Sequence, residues 1–304
     1  MSLIINVKGF NNLGNTCYMN SALQALLSSD IMNTALMFFL KNNPESVNSM
    51  NPILLEYCRI IIELLDDKND VHNRETNILV PRNFKQILDR ENQLFRGFSQ
   101  HDSNELLVYM INEFTETKKN NKDIAEIVKK LCFGKYKQYV YCKECKNVSI
   151  NYANFLDVLL PIPSVRNNKY PDLEDCFKKF AIYEELTGDN KWICPTCKKK
   201  VDACKKMEIE TVPEIAIFTL NRFKGMAKND TPVLIYEYIE LEDKKLKLIS
   251  TVNHYGNVGG GHYVAHISRN DNWFVADDSR IRPIDVKSLM CDPSVYMVVY
   301  QEDE

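Results

Sequence analysis

Hydrophobic residues recur with a helical period from the start of the chain to about residue 130. Three segments show this period most clearly. Their apolar faces consist of Ala22, Leu23, Leu26 and Leu27 in the first, Leu54, Leu55, Cys58, Ile61, Ile62 and Leu65 in the second, and Leu106, Leu107, Met110, Ile111 and Phe114 in the third. Asp102 and Glu105 stand before the third face with the spacing of a capping box. The pattern therefore predicts helices in this stretch.

Beyond residue 130 the pattern changes to the short apolar runs typical of β-strands. Runs at 139–141 and 158–160 come first, and denser ones follow from about residue 211. We expect strands at 215–220, 233–238, 246–252, 262–268, 272–277 and 295–300. Helices followed by an antiparallel sheet indicate an α+β fold class. Because the chain has no long linker and no repeat, we expect one domain over 1–304, built from the stretches 1–130, 131–210 and 211–304.

The composition argues against several functional classes. The chain has 304 residues, 38 basic and 41 acidic side chains, and a formal charge of −3. This near-neutral balance argues against a nucleic-acid partner, which would need a clear excess of Lys and Arg. No window approaches the ~18 uninterrupted apolar residues of a membrane span, and no basic stretch followed by an apolar run marks a signal peptide. We expect a monomer that inserts into no membrane.

The ten cysteines are the compositional feature that needs an explanation. A long chain without a signal peptide is not expected to carry a disulfide framework. We therefore expect reduced thiols and a location in the cytoplasm, the nucleus or both. Each cysteine is then core filler, a metal ligand or a nucleophile.

Cys17 is the candidate nucleophile, because it stands where a polar loop containing Gly14 runs into the first predicted helix. At a helix N-terminus, unpaired backbone N–H groups and the helix dipole favour negative charge, which lowers the cost of forming the reactive thiolate. The same loop offers N–H groups and the Asn12 amide as donors to an oxyanion. The alternative, that Cys17 only packs against its helix, stays open until a base is found.

His262 is the candidate base, and it follows three glycines at 259–261. Such a run permits unusual backbone angles and close approach by a ligand. The strand that starts there places His262 and His266 on one face. Because nothing acidic or glycine-rich accompanies His266, we interpret it as an ordinary strand histidine.

Asp277 is the candidate partner of His262. A two-residue hairpin loop between Arg269 and Asn272 places Asp277 diagonally opposite His262, about 7–8 Å away along the backbone. A carboxylate at that distance can hold one imidazole nitrogen while the other exchanges a proton, as a Cys-His-Asp triad requires. On this register Asp278 points to the opposite face, where we expect it to bind backbone or solvent.

Two Cys-x-x-Cys motifs form the candidate metal site. They consist of Cys142, Cys145, Cys194 and Cys197, with 48 residues between the pairs. Each spacing brings two thiolates to one ion, and two such pairs complete a tetrahedral four-sulfur site with no open position. We therefore predict one structural Zn²⁺ and no organic cofactor. The alternatives are two separate pairs of buried thiols, a redox motif, or a nucleic-acid-binding zinc ribbon beside the lysines at 198–200.

In this order the motifs resemble the signature segments of the ubiquitin-specific protease family of deubiquitinating cysteine peptidases. The similar segments are 9–21 around Cys17, 97–106 around Gln100-His101-Asp102, Leu220-Asn221-Arg222-Phe223, and Gly261-His262-Tyr263 with Asp277-Asp278. The resemblance spans nearly the whole chain. It implies a papain-like fold with a helical thumb (1–130), mostly zinc-stabilised fingers (131–210) and a β-rich palm (211–304), and an active site between thumb and palm.

The resemblance also implies roles for single residues. Cys17 would be the nucleophile, His262 the general base and acid, Asp277 the orienting acid and Asn12 the oxyanion donor. The residues expected along the ubiquitin C-terminal tail are Asp102, Glu105, Gln100, Phe223 and Tyr263, since carboxylates complement the arginines of that tail and aromatic rings can wall a narrow channel. The chain departs from the family pattern at His101, Ser103, Asn221 and Ala276.

The implied activity is hydrolysis of (iso)peptide bonds at the C-terminal glycine of ubiquitin, with ubiquitin and ubiquitinated proteins as partners. Two alternatives stand beside it: a protease for another ubiquitin-like modifier, and an inactive ubiquitin-binding scaffold. The presence of both Cys17 and His262 argues against the scaffold.

Overall fold

Helices form where the apolar periodicity predicts them. The computed structural model describes residues 3, 5–65, 78–116, 122–165, 167–257 and 259–303. Within these ranges the α-helices are α1 (Cys17–Leu26), α2 (Asp30–Asn42), α3 (Pro52–Leu65), α4 (Arg82–Glu91), α5 (Ser103–Thr115), α6 (Lys122–Cys132) and α7 (Leu173–Phe180). In the same ranges no single helix is long and apolar enough to cross a membrane, and α1 with α2 meets that test only as a pair bent by 81°.

Helix α5 shows how the sequence sets an element. Asp102 caps it, since its carboxylate accepts the backbone N–H groups of Asn104 and Glu105 at 2.7 and 3.1 Å. The apolar residues predicted for its inner face are all buried. Helix α3 differs from the prediction in one respect: Ile62 is 55% exposed, so the buried stripe is narrower than the apolar one.

The strands form one large sheet and several small ones. They are β1 (Gly9–Phe10), β2 (Ile78–Leu79), β3 (Gly134–Cys142), β4 (Val148–Phe155), β5 (Asp157–Leu160), β6 (Glu184–Leu186), β7 (Trp192–Cys194), β8 (Lys199–Val201), β9 (Ala203–Thr211), β10 (Ile215–Leu220), β11 (Phe223–Lys224), β12 (Ala227–Lys228), β13 (Tyr238–Leu241), β14 (Lys244–Asn257), β15 (Gly260–Arg269), β16 (Asn272–Asp277), β17 (Arg280–Pro283) and β18 (Val295–Glu302). The large sheet has the order β17-β16-β15-β14-β18-β10-β5, and β13 pairs with β14.

The strand predicted at 233–238 is wrong, whereas the other strands predicted after residue 211 lie in the large sheet. Val233 and Ile235 are buried in the core cluster that also contains residues of α7. Leu234 forms only an isolated parallel bridge with Asp172. These side chains fill the core although the segment forms no strand ladder. A short apolar run has the same sequence pattern whether it forms a buried strand or a buried irregular segment.

The large sheet is covered on both faces. Side chains alternate along β10, so Ile215 and Ile217 join the core cluster with the helices α1, α3 and α5. Phe218 faces the other way and meets Phe177 of α7 edge-on, with ring centroids 4.9 Å apart. Helix α1 packs directly on β15. The candidate site lies where the N-terminus of α1 meets this strand.

A second sheet, with the order β4-β3-β9-β6, forms most of the stretch predicted as fingers. The turn between β3 and β4 carries one Cys-x-x-Cys motif, and the β7–β8 hairpin carries the other. In each turn the residue after the second cysteine is a lysine with positive φ, 64° at Lys146 and 57° at Lys198. The two motifs therefore adopt the same local turn, which points the thiols of each pair in one direction.

Candidate active site

Cys17 is the first residue of α1 and is buried, only 4% exposed. Burial raises the pKa of its thiol above the ordinary value, the nearby backbone N–H of Tyr263 opposes this effect, and the carboxylate of Asp278 raises the pKa further. Backbone N–H groups at the helix N-terminus lower the pKa of this thiol, as predicted, but desolvation is the larger effect. A thiolate here needs a cationic partner.

His262 and Asp277 form a hydrogen bond, with Nε2 of the histidine 2.7 Å from Oδ1 of the carboxylate. The predicted hairpin produces this contact: Arg269 pairs with Asn272, and both residues of the loop between them have the positive φ of a type I′ turn. Because Asp277 holds Nε2, Nδ1 of His262 is the nitrogen left to exchange a proton. Helix α1, which begins at Cys17, packs against strand β15, which carries this histidine, and Cys17 lines the same cleft as Tyr263.

Asp278 binds two asparagine side chains, whereas the prediction was that it binds backbone or solvent. Its carboxylate accepts one hydrogen bond from Asn12 Nδ2 at 2.8 Å and another from Asn20 Nδ2 at 2.7 Å. Its backbone oxygen accepts the N–H of Phe10 at 2.8 Å. The physical reason is its φ of 50°: the strand ends at Asp277, so the strand alternation used for the prediction no longer applies.

The amide of Asn12 is fixed from both sides. Its oxygen accepts the backbone N–H groups of Gly14 and Thr16 at 2.9 and 3.2 Å, while its nitrogen donates to Asp278. One N–H of the amide is thus committed, and the second is the group that could donate to a developing oxyanion.

Asn20 was missed by the sequence analysis. It lies on α1, is only 2% exposed, and donates to Asp278 and to the backbone oxygen of Phe10. A signal was present, because an asparagine one helical turn after Cys17 and among apolar neighbours must find a buried hydrogen-bond partner. The sequence did not identify that partner.

A cleft of about 380 Å³ opens beside Cys17. Four of the predicted tail-contacting residues line it, namely Gln100, Asp102, Phe223 and Tyr263. His254, which the sequence analysis missed, also lines it, and burial lowers the pKa of this histidine so that the ring is neutral. Glu105 is not among the lining residues and is exposed on α5.

Gln100 spans this cleft. Its side-chain amide donates to the backbone oxygen of Gly261 at 3.1 Å and accepts the N–H of the same residue at 3.0 Å. Glycine is required at this position, since a Cβ there would lie 2.2 Å from His254 Nε2 and 2.5 Å from the oxygen of Tyr255. The close approach predicted at 259–261 is therefore present, and the group that approaches the backbone there is the side-chain amide of Gln100.

Asp102 is committed to internal contacts. Besides capping α5, its carboxylate accepts the hydroxyl groups of Tyr296 at 2.7 Å and Tyr263 at 3.3 Å. Among the described residues Glu105 has no side-chain partner; partial desolvation raises the pKa of its carboxyl group, and the charge of Asp102 adds to that effect. A cation beside Glu105 would be favourable, because it would stabilise the charged form.

The four predicted metal ligands lie together at the tip of the fingers. The ligand atoms of Cys142, Cys145, Cys194 and Cys197 are all within 4.8 Å of one another. The Sγ atoms of Cys142 and Cys197 are 3.9 Å apart, and those of Cys145 and Cys194 are 3.7 Å apart. Tetrahedral zinc with Zn–S bonds of about 2.3 Å requires sulfur–sulfur distances of about 3.8 Å, so the donor set fits this ion.

The first prediction concerns Asp102. Asp102→Ala removes the cap of α5 and leaves the buried hydroxyls of Tyr263 and Tyr296 without their acceptor. We expect the free energy of unfolding, measured in urea, to fall by about 2–3 kcal/mol. Glu105→Ala, an exposed acid on the same helix, is the control and should change it by less than about 0.5 kcal/mol. Equal losses in the two variants would contradict the structural role of Asp102.

Comparison with known proteins identifies the family. The model of the family described as ubiquitin carboxyl-terminal hydrolase matches residues 8–300. Ubiquitin carboxyl-terminal hydrolase 4 of Vanderwaltozyma polyspora is 26% identical and covers 96% of this chain, which spans 40% of that protein. Ubiquitin carboxyl-terminal hydrolase 4 of Arabidopsis thaliana is 27% identical over 91% of this chain and 85% of its own length.

Solved structures share the fold. A chain of the SAGA Ubp8/Sgf11/Sus1/Sgf73 DUB module bound to ubiquitin aldehyde superposes with a TM-score of 0.80 and 24% identity, covering all of this chain and 71% of that one. The likeness confirms the predicted α+β fold with thumb, palm and fingers. Because the family model spans nearly the whole sequence, the chain belongs to the ubiquitin carboxyl-terminal hydrolase family, and the resemblance to ubiquitin-specific proteases is confirmed.

Proposed function

We propose that the chain hydrolyses (iso)peptide bonds at the C-terminal glycine of ubiquitin through Cys17, His262 and Asp277. The observation that carries the proposal is the 2.7 Å contact between His262 and Asp277, beside a cysteine at a helix N-terminus and a glycine-lined cleft. Family membership supports the reaction class. The relative from Vanderwaltozyma polyspora is longer, and this chain spans 40% of it. The activity is therefore proposed for this chain alone and is not transferred from the longer protein.

The reaction has two half-steps. The thiol of Cys17 transfers its proton to Nδ1 of His262, and the thiolate attacks the glycine carbonyl to form a C–S bond. The imidazolium, held by Asp277, then gives its proton to the departing lysine amine as the C–N bond breaks. A water molecule, deprotonated by the same histidine, attacks the thioester and releases the carboxylate and Cys17. The raised pKa of Cys17 makes this proton transfer to His262 necessary.

Asn12 is proposed as the oxyanion donor, and Asp278 and Asn20 as the residues that position it. Asp278 bonds one N–H of the Asn12 amide, and Asn20 bonds the other carboxylate oxygen of Asp278. An amide held in this way faces the substrate without reorganising during the reaction, which is the condition for electrostatic catalysis. In this proposal Asp277 orients the base, and Asp278 orients the oxyanion donor.

The cleft favours a chain end without side chains. His254, Phe223 and Tyr263 pack together as an aromatic wall of the cleft, with ring centroids 5.3 Å apart for His254 and Phe223 and 4.7 Å apart for His254 and Tyr263. A Gly-Gly terminus passes such a channel, whereas larger residues do not. An arginine preceding it would meet the exposed carboxylate of Glu105. Asp102 contributes by holding Tyr263 in place.

The proposed partners are ubiquitin and ubiquitinated proteins. One solved relative is described as bound to ubiquitin aldehyde and another as bound to monoubiquitin. Both are modules of several subunits, so a monomeric state of this chain stays a prediction. The cytoplasmic or nuclear location also stays a proposal.

We also propose one structural Zn²⁺ in the four-cysteine cluster. The ion would hold the β3–β4 turn to the β7–β8 hairpin, and four thiolates leave no open coordination position for chemistry. The sulfur–sulfur distances of 3.7 and 3.9 Å support this proposal. All ten cysteines lie in the described ranges and all are free thiols, as both the cluster and the nucleophile require.

The second prediction tests the activity. Ubiquitin carrying a C-terminal electrophile should label the wild-type chain once, and a fluorogenic ubiquitin amide should be hydrolysed. Cys17→Ala should abolish both, because no other residue supplies the nucleophile. Cys291→Ala, which removes an exposed thiol, is the matched control and should retain both. A folded wild-type chain that is not labelled would refute the proposal. Faster turnover of the amide of another ubiquitin-like modifier would instead support a protease for that modifier.

The third prediction is a double-mutant cycle. Asn12→Ala should lower kcat by about 10²-fold, the usual cost of losing one oxyanion donor. Asp278→Ala should lower kcat roughly tenfold in the wild type but less than about twofold in the Asn12→Ala background, because Asp278 acts through that amide. Asn20→Ala should behave in the same way. Equal losses in both backgrounds would show that Asp278 acts on His262 instead.

The fourth prediction concerns the metal. Atomic emission spectrometry should find about one zinc per folded chain. Cys145→Ser should lower both the zinc content and the unfolding temperature, because zinc binding contributes folding free energy. Cys204→Ser, which changes a fingers cysteine outside the cluster, is the control and should keep the metal. Well-folded protein without zinc would contradict the proposal.

A further inference from the structure

The turn that precedes Cys17 has an uncommon backbone conformation. Gly14 and Asn15 both have positive φ, 104° and 54°. Glycine adopts such angles readily, whereas asparagine does so at a small cost in free energy. Both residues are exposed, so burial does not hold the turn in place. The contacts that these two residues make therefore decide how firmly the turn is held.

The turn matters for chemistry because it holds the proposed oxyanion donor. The N–H of Gly14 donates to Oδ1 of Asn12 at 2.9 Å, and the N–H of Thr16 donates to the same oxygen at 3.2 Å. Asp278 holds the other end of this amide, its nitrogen. A shift of the turn would move the oxygen of the Asn12 amide, and the N–H proposed to face the oxyanion would move with it.

A short strap, residues 95–98, contacts the turn. The backbone oxygen of Phe98 accepts a hydrogen bond from the side-chain amide of Asn15 at 2.9 Å. The ring of Phe98 lies against Gly14, since a Cβ built on that glycine would be 3.0 Å from Cδ1 of the ring. Phe98 thus contacts both residues with positive φ, one through its ring and the other through its backbone.

The strap is itself anchored to helix α4. The ammonium group of Lys85, a buried side chain, donates to the backbone oxygens of Gly97 at 2.7 Å and Phe95 at 3.2 Å. Asp89, the ion-pair partner of Lys85, accepts the N–H of Gly97 at 3.3 Å. Hydrogen bonds to charged groups are stronger than neutral ones, and the Phe95 side chain is fully buried. A chain of contacts therefore runs from the core through the strap to the turn.

Burial does not account for the side chain of Phe98. This ring is 72% exposed, so removal of its apolar surface from water contributes little to folding. It is also not among the residues that line the cleft beside Cys17. The contact with the turn is the role that the described structure offers for this ring.

We infer that Phe98 is a positioning residue for the proposed oxyanion hole: together with Asn15 it holds the turn at Gly14, and the turn holds the amide of Asn12. The inference rests on the proposed function. It gives an exposed side chain outside the cleft a role in the chemical step, which it exerts through Asn12 and not through substrate binding.

The test compares Phe98 variants in two backgrounds, wild type and Asn12→Ala, by kcat and KM on a fluorogenic ubiquitin amide. Phe98→Ala should lower kcat about tenfold and change KM by less than about twofold, because a pre-organised donor acts on the transition state and not on ground-state binding. In the Asn12→Ala background the same substitution should lower kcat by less than about twofold. Phe98→Tyr keeps the ring and should retain the wild-type kcat.

Two further variants isolate the contact. Asn15→Gly keeps a residue suited to positive φ and removes the hydrogen bond to Phe98, so kcat should fall about threefold with KM unchanged. Leu94→Ala truncates another exposed apolar side chain, next to the strap, and is the matched control that should keep both constants at the wild-type value. The unfolding temperature of Phe98→Ala should stay within about 2 °C of the wild type, since the ring is exposed.

The outcomes separate positioning from substrate binding. A raised KM with unchanged kcat in Phe98→Ala would show that the ring binds substrate and would overturn the inference. An equal loss of kcat in both backgrounds, or the same loss in Leu94→Ala, would overturn it as well. Absence of turnover by the wild-type chain would instead refute the proposed function.

Discussion

The position of Cys17 relative to the strand that carries His262 depends on the packing of helix α1 against strand β15. At one end of this interface the buried guanidinium of Arg269 donates to the backbone oxygen of Gln24 at 3.0 Å and to the hydroxyl of Ser28. At the other end Cys17 of α1 and Tyr263 of β15 line the same cleft. A sliding or tilting of α1 on the sheet would therefore move the nucleophile relative to the strand that carries His262. Positioning of this quality is what allows a buried thiol to be ionised on demand.

Carboxylates connect the elements around this interface. Asp102 at the start of α5 holds the hydroxyls of Tyr263 and Tyr296, on two strands of the palm. Asp278 holds Asn12 and Asn20, which flank the nucleophile. In each case a carboxylate from one part of the chain accepts hydrogen bonds from side chains in another part. Its negative charge therefore stabilises the fold of the site before any substrate binds. Charged oxygens in such contacts are stronger acceptors than neutral ones, which suits them to aligning distant elements.

The sequence was sufficient for features that follow from local periodicity. The His262–Asp277 contact was predictable because a two-residue turn fixes the parity of both strands, and the four-cysteine cluster because two short motifs allow few geometries. The alternation of side chains along the strand did not predict the contacts of Asp278, one residue later, because the backbone leaves the strand there. The tyrosine partners of Asp102 could not be predicted, since they lie on strands that meet only in the folded sheet. The pKa of Cys17 required the burial of the thiol, which no local pattern contains.

The separation of Cys17 and His262 in sequence has a consequence for biosynthesis. A ribosome makes the thumb first, and α1 with its thiol emerges long before β15 and the strands β14 and β18 that support it. Until those strands are paired, the cysteine has no base, no oriented asparagine and no wall for a cleft. An incomplete nascent chain therefore carries a thiol without its partners, and the proposed activity requires the complete palm. The topology thus delays that activity until folding is finished.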